Sequence, residues 1–167
     1  MINEIDAKIL NIIQQDARIA NVEIARQVGL APSAVLERVR KLEERGVIRG
    51  YAAEIDANQV GFGLTAFVFV RTSFCGSTVG EALAQIPEVL EVHDVAGEDC
   101  YLLKVRAKNT DELGQFFREK LKLLPEIVST RTTVVLQTIK ETTALPLEKL
   151  NENLEEVPTK RKPRKNK

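Results

Sequence analysis

The sequence predicts an α+β fold made of two parts, each with its own core. Apolar residues recur at helical spacing through the first 45 residues, and the first β-branched run follows at residue 47. Beyond residue 64, strands and helices are expected in the order β-α-β-β-α-β. A chain of 167 residues is long enough for two small domains of this kind.

Two helices are expected first. Asn3 is placed to cap an amphipathic helix that ends near Gln15. Asn21 is placed to cap a shorter second helix, and Gly29 follows as its C-terminal stop. The two helices are therefore separated by a short polar turn.

The third helix is the most informative one. Pro32 suits its first position and Gly46 stops it, so the helix is expected to run to Arg45. A short helix, a glycine-containing turn and a longer helix with a polar outer face are typical of a helix-turn-helix. We therefore assign residues 1–50 to a helix-turn-helix DNA-binding domain.

Candidate DNA contacts lie on the outer face of this third helix, because Val35, Val39 and Leu42 are spaced to face inward. Residues near the start of such a helix read base edges, and cationic residues further along bind phosphates. The expected base-edge residues are Ser33, Ala34 and Glu37. The expected phosphate contacts are Arg38, Arg40 and Lys41. A solvated face of mixed ion pairs is the alternative, which the preceding helix and turn disfavour.

The second part begins after a wing and linker. Residues 47–56 are expected to form a short strand pair or wing, and we assign 51–63 to the wing and linker. Strands are expected at 64–72, 89–95, 101–107 and 128–139, and helices at 78–86 and 110–123. In the second of these strands, Leu90 and Val92 are expected on one face.

This element order predicts a winged helix-turn-helix followed by a ferredoxin-like βαββαβ domain over residues 64–142, with both helices on one face of the sheet. The other face must be covered, and a second copy of the chain is the simplest cover. The sequence therefore predicts a homodimer.

The charge of the chain is unevenly distributed. Basic and acidic residues number 24 each, but six basic residues lie in the last eight positions, which leaves an acidic body. DNA binding would therefore depend on local clusters of charge. Residues 143–167 are assigned to a C-terminal extension with a basic, disordered end, and a sequence-independent DNA contact by that end stays open.

Composition argues against several classes of protein. The sequence has neither a charged-then-apolar leader nor an apolar run near the roughly 18 residues of a membrane span, so we expect a cytoplasmic protein. Two cysteines and one histidine predict neither a disulfide framework nor a metal site, and both thiols are expected to be reduced. No catalytic residue and no cofactor are assigned.

Three stretches of the first part, Ile5–Leu10, Ile24–Leu30 and Val35–Ile48, resemble the N-terminal signature of the leucine-responsive and asparagine-responsive (Lrp/AsnC) regulators. Ala96–Val105 is similar to the glycine-containing turn and following strand of the ligand-sensing domain of that family. The resemblance covers about residues 2–142. It implies a transcriptional regulator of amino-acid metabolism or transport genes, built as a dimer and often assembled into tetramers or octamers.

The resemblance also implies an amino-acid effector held between subunits near the glycine turn. In this sequence the turn corresponds to Gly97, Glu98, Asp99 and Cys100. Backbone amides there could bind a carboxylate, and an acidic side chain could bind an ammonium group. On residue chemistry alone, an ordinary hairpin turn at Gly97–Asp99 stays open as the alternative. Cys100 stands where many members carry an acidic residue, and Ala31 replaces a frequent serine at the cap of the third helix.

Two other classes of function stay open as alternatives. A nucleoid-architectural protein that bends DNA would explain the basic C-terminal end. A tetrapyrrole decarboxylase of the same fold could use His93, followed by Asp94, for proton transfer.

Overall fold

A computed structural model of the chain describes residues 2–74 and 76–147. Its contacts divide these residues into two compact units: the chain up to Ala53 together with the residues from Thr142 onward, and Glu54–Glu141. The helices and strands are α1 Glu4–Gln15, α2 Asn21–Val28, α3 Pro32–Glu44, β1 Leu64–Thr72, α4 Ser77–Ala84, β2 Val89–Asp94, β3 Tyr101–Ala107, α5 Thr110–Glu119 and β4 Ile127–Val134. None of the helices in these ranges is long and apolar enough to cross a bilayer.

The first unit contains the three expected helices. Asn3 caps α1 as predicted, since its side-chain oxygen accepts a hydrogen bond of 2.8 Å from the backbone N–H of Asp6. The expected cap of α2 was placed one residue too late. Ala20 holds the extended cap conformation, so Asn21 is already helical, and no side chain caps this end.

The core of the first unit joins all three helices, and Ile9, Ile24 and Val35 are each at most 1% exposed. Gly29 ends α2 in the left-handed conformation, with φ of 71°, which a residue with a side chain rarely adopts. Pro32 occupies the first turn of α3 as expected. The short turn between α2 and α3 therefore holds α3 against a packed core with its other face in solvent.

Residues 47–56 do not form the expected strand pair. The described residues between α3 and β1 contain turns, bends and irregular backbone but no β-bridge. A two-stranded ribbon without a third strand or a covering helix is marginally stable, so β-branched composition alone does not produce one here.

The second unit is a four-stranded antiparallel sheet in the order β2-β3-β1-β4. Alternate residues of β1, including Val68 and Val70, share one buried cluster with Leu83 of α4 and Phe116 of α5. Because side chains alternate along a strand, both helices lie on the same face of the sheet. The expected βαββαβ architecture is confirmed.

Some element limits differ from the expectation. A register shift between Val89 and Glu91 places Val89 in the core and leaves Leu90 56% exposed, so Leu90 and Val92 do not share a buried face. Such a bulge interrupts the simple alternation used to predict the strand. Helix α5 ends at Glu119, four residues before the expected end, and strand β4 ends at Val134, five residues before the expected end.

Candidate nucleic-acid interface and effector turn

The outer face of α3 presents the residues expected to contact DNA. Val35, Val39 and Leu42 are buried, which turns the other side of the helix to solvent. The six predicted contacts differ in exposure. Ser33, Glu37, Arg40 and Lys41 are exposed, whereas Ala34 and Arg38 are half-buried.

Glu37 is at the centre of the ion pairs on this face. Its carboxylate lies 3.1 Å from Nη2 of Arg40 and 3.3 Å from Nζ of Lys41. The hydrogen bonds from Arg40 and then Lys41 lower the pKa of Glu37. The same carboxylate raises the pKa of Arg40, which also lies 3.2 Å from Glu44. Glu37 and Arg40 therefore each favour the charged form of the other.

Arg38 has a different environment from its two cationic neighbours. Its Nη1 lies 2.8 Å from Oδ1 of Asp6 on α1, and the Asp6 side chain is only 10% exposed. The Arg38 side chain is 33% exposed, so one part of the guanidinium still reaches solvent. This ion pair ties α3 to α1, a role that periodicity along α3 could not show.

The large apolar residue exposed on α3 was not among the predicted contacts. Leu36 is 56% exposed and directly precedes Glu37. An apolar side chain in the major groove can contact the methyl group of thymine. Its adjacency to Glu37 on an otherwise polar face is the signal that could have identified it.

The turn between β2 and β3 contains the residues predicted to bind an effector. The backbone N–H of Val95 donates to the carbonyl of Cys100 at 3.0 Å, and the N–H of Cys100 donates to Val70 at 2.9 Å. Gly97 and Glu98 are exposed, Asp99 is half-buried and Cys100 is buried. The first three are therefore accessible to a ligand, whereas the backbone polar groups of Cys100 are already bonded.

Two arginines flank this turn, and sequence analysis did not single out either one. Arg71 of β1 donates from Nε to the carbonyl oxygen of Glu98 at 2.9 Å. Arg131 of β4 lies 3.1 Å from Oδ2 of Asp99, and its guanidinium stacks 4.1 Å above the ring of Phe69. The pairing of β1 with its neighbours brings these cations to the turn, so only knowledge of the strand order could have found them.

The chemical state of Cys100 differs from the expectation. Cys100 is disulfide-bonded, so the prediction of two reduced thiols is wrong for this residue, and Cys75 lies outside the described residues. Separation along a sequence does not show which side chains meet in space, and the sulfur of Cys100 is not available to a ligand as a thiol.

Gly97 has no role in the turn that requires a glycine. Its φ is not positive, and an added Cβ would meet no atom of the described chain within 4 Å. The space beside it is open. A ligand or a second subunit could therefore approach the backbone closely at this position.

The geometry around His93 gives little support to proton transfer. Its side chain is 55% exposed, and Nε2 lies 3.2 Å from Glu91. The described residues contain no group of His, Cys, Asp or Glu side chains that could hold a metal ion.

Comparison with known proteins identifies the family of both units. The winged helix-turn-helix DNA-binding family matches residues 2–49, and the Lrp/AsnC ligand binding domain family matches residues 65–145. The HTH-type transcriptional regulator FL11 of Pyrococcus horikoshii is 40% identical over 87% of this chain and 97% of its own length. The chain belongs to the Lrp/AsnC family of DNA-binding transcriptional regulators.

Further relatives of this Lrp/AsnC protein give the same result. The leucine-responsive regulatory protein of Escherichia coli K12 is 37% identical over 86% of this chain and 90% of its own length. A crystal structure of a transcriptional regulator from Neisseria meningitidis in complex with L-Met has a TM-score of 0.84 at 32% identity, covering 90% of this chain and 99% of that one. These relatives are named as regulators, which supports a regulator rather than an enzyme.

Proposed function

We propose that this Lrp/AsnC regulator reads duplex DNA with the outer face of α3. The observation that carries the proposal is the exposed polar face of a helix whose other side closes a helix-turn-helix core. Ser33, Ala34 and Glu37 lie in the first half of α3, where such helices meet base edges. Arg40 and Lys41, and the exposed part of Arg38, lie further along and reach phosphates.

The chain acts as a homodimer joined through the open face of its sheet. The helices cover one face, and Phe67, Phe69 and Leu102 lie half-buried on the other. At the start of the segment after β4, the backbone N–H of Val135 donates a hydrogen bond to the carbonyl oxygen of Thr65. Farther along this segment the apolar side chains are very exposed, with Leu136 at 98% and Ile139 at 84%. A second copy would remove this apolar surface from water, and larger assemblies would bring more helix-turn-helix units to one DNA.

The turn at Gly97–Asp99 binds a free amino acid. The backbone is open at Gly97, and Glu98 at 92% side-chain exposure can accept an ammonium group. Arg71 and Arg131 stand beside the same turn and can bind a carboxylate. Because the Neisseria meningitidis relative is described in complex with L-Met, methionine is the first candidate. Control of amino-acid metabolism or transport genes in the cytoplasm fits such an effector.

The decisive experiment is a gel-shift titration of the purified chain with its own upstream DNA and a scrambled duplex at physiological salt. We expect tighter binding to the upstream DNA and a change on adding L-methionine or another amino acid. Equal binding to both duplexes would favour the architectural alternative. Absence of binding to either one would refute the DNA-binding assignment of α3.

The effector turn is tested separately with Gly97→Ala and isothermal titration calorimetry. Since the added methyl group meets open space, we expect the variant to fold as the wild type does. We expect it to bind the amino acid at least about tenfold more weakly, because the ligand would approach the backbone at this point. Unchanged affinity would place the effector elsewhere.

A further inference from the structure

The charged residues of α3 balance each other. Three basic and three acidic residues lie between Pro32 and Glu44. Each of the three cations has an acidic partner within 3.3 Å. A helix without net positive charge gives weak, sequence-independent attraction to phosphates. The recognition helix must therefore exchange its own ion pairs for DNA contacts.

Glu37 is the residue at which this exchange has the largest consequence. Two cations share its carboxylate, with Nη2 of Arg40 at 3.1 Å and Nζ of Lys41 at 3.3 Å. Glu37 also lies one turn after Ser33 on the exposed face, in the half of α3 that meets base edges. When Arg40 and Lys41 turn to phosphates, an ionised carboxylate stays behind among the bases.

We propose that Glu37 determines the sequence specificity of this regulator by holding Arg40 and Lys41 until a base edge can replace them. The N4 amino group of cytosine is the base-edge donor that a carboxylate accepts in the major groove. At a site with cytosine in reach, Glu37 gains this donor as its cations move to the backbone. At other sites the carboxylate loses its partners and faces phosphates of like charge. The inference rests on the proposed function of α3.

Glu44 supplies the matched control. It carries the same charge on the same face and also pairs with Arg40, at 3.2 Å. It is the last residue of α3, however, almost two turns beyond Glu37 and away from the half that meets base edges. Glu37→Gln and Glu44→Gln therefore change the net charge equally, and only the first weakens the proposed base contact, because an uncharged amide oxygen replaces the carboxylate as acceptor.

The experiment uses the full chain and a random duplex pool. The wild type first selects its preferred sequences, and the affinities of the wild type, E37Q and E44Q are then measured for a selected and a random duplex at matched salt. We expect E37Q to bind random DNA about threefold more tightly and to lose about tenfold in the ratio of selected to random affinity. E44Q should shift both affinities alike. Replacing the enriched cytosines should cost the wild type about tenfold and E37Q little.

Three results would overturn the inference. An unchanged ratio in E37Q would show that the carboxylate charge of Glu37 does not select bases, and an equal fall in E44Q would reduce the effect to net charge. A selected sequence without any enriched cytosine would remove the proposed donor. If the wild type enriches no sequence at all, the proposed function of α3 fails as well, which separates that failure from the other three.

Discussion

Charged side chains are paired in both units of the chain, but the pairs differ in how much water they face. On α3, the Arg40 and Glu37 side chains are 58% and 47% exposed and belong to one helix. On the open sheet face, the Lys104 and Arg106 side chains are only 14% and 18% exposed. Lys104 pairs with Glu91 of β2 and with Glu141, and Arg106 pairs with Glu141. Glu141 follows the last strand, β4.

This difference separates two kinds of surface. Exposed ion pairs within a helix contribute little to stability and exchange readily, so α3 can give up its internal partners for phosphates. Pairs that are half-buried among apolar side chains are exchanged less easily, and Glu141 raises the pKa of Lys104. The α3 face is therefore suited to a nucleic acid, and the sheet face to stable packing against protein.

The largest expected effect is on assembly, from Phe67→Glu. Phe67 lies on the open face of the central strand β1, opposite Lys104 of β3 and Thr133 of β4. The new carboxylate would lie beside Lys104, which already pairs with Glu91 and Glu141, so it would add excess negative charge to the face. Burying that excess charge between two sheets would cost several kcal/mol, so we expect the variant to be a monomer. Sedimentation velocity measures the mass in solution, and circular dichroism checks that the fold persists.

Leu123→Glu is the control for this substitution. Leu123 is 74% exposed and follows α5, which covers the opposite face of the sheet. Its variant should keep the mass of the wild type. If Phe67→Glu remained a dimer as well, the open sheet face would not be the interface between subunits.

A smaller effect is expected from Arg38→Ala, which tests whether Arg38 belongs to the surface or to the core. Removing it leaves the Asp6 carboxylate, in a residue only 7% exposed, without its cation. We expect a loss of about 1–3 kcal/mol in the free energy of unfolding, together with weaker binding to all DNA and a lower salt dependence. Chemical denaturation and salt-dependent gel shifts measure the two effects.

Asp6→Asn separates the two roles of Arg38. It removes the ion pair but leaves the guanidinium free to bind a phosphate, so DNA affinity should be kept even as stability falls. A double-mutant cycle between the two positions then gives the energy of the pair. A loss of DNA affinity in Asp6→Asn as large as in Arg38→Ala would show that Arg38 acts only through the structure of α3.

Local sequence signals predicted much of the fold but little of the pairing between distant residues. Asn3, Gly29 and Pro32 mark helix ends by mechanisms that operate within one turn of chain, and the structure agrees with each. The prediction of Asn21 as the N-cap of α2 was wrong by one residue, because Ala20 holds the extended cap conformation. Residue preferences at helix caps do not fix the start of a helix to a single position.

The sites show the same limit. Helical periodicity placed Glu37, Arg40 and Lys41 on one exposed face, because that requires only the geometry of a single helix. It could not show that Asp6 meets Arg38, or that Arg71 and Arg131 reach the turn at Gly97. Those contacts join residues at least 27 positions apart and follow from helix packing and strand order.

The smallest expected effect concerns Tyr51, which follows α3 and donates its hydroxyl to Oε1 of Glu43 at 2.8 Å. Partial burial, and then the nearby Glu43 carboxylate, raise the pKa of Tyr51 to about 12. Since the folded pKa lies above the ordinary value of 10.0, any stability from this group is complete below pH 10 and is lost as the pH rises through 12.

Ultraviolet absorbance of the phenolate tests this, with the titration of Tyr51→Phe subtracted from that of the wild type to leave the signal of Tyr51. We expect a midpoint near 12 in the wild type and a shift toward 10 in Glu43→Gln. Tyr51→Phe should lower the free energy of unfolding by only about 0.5 kcal/mol, because an exposed hydrogen bond competes with water. A midpoint near 10 in protein that circular dichroism shows to be folded would mean that Tyr51 does not hold the start of the linker against α3. The exposed hydrogen bond between Tyr51 and Glu43 would then contribute nothing to the stability of the helix-turn-helix unit.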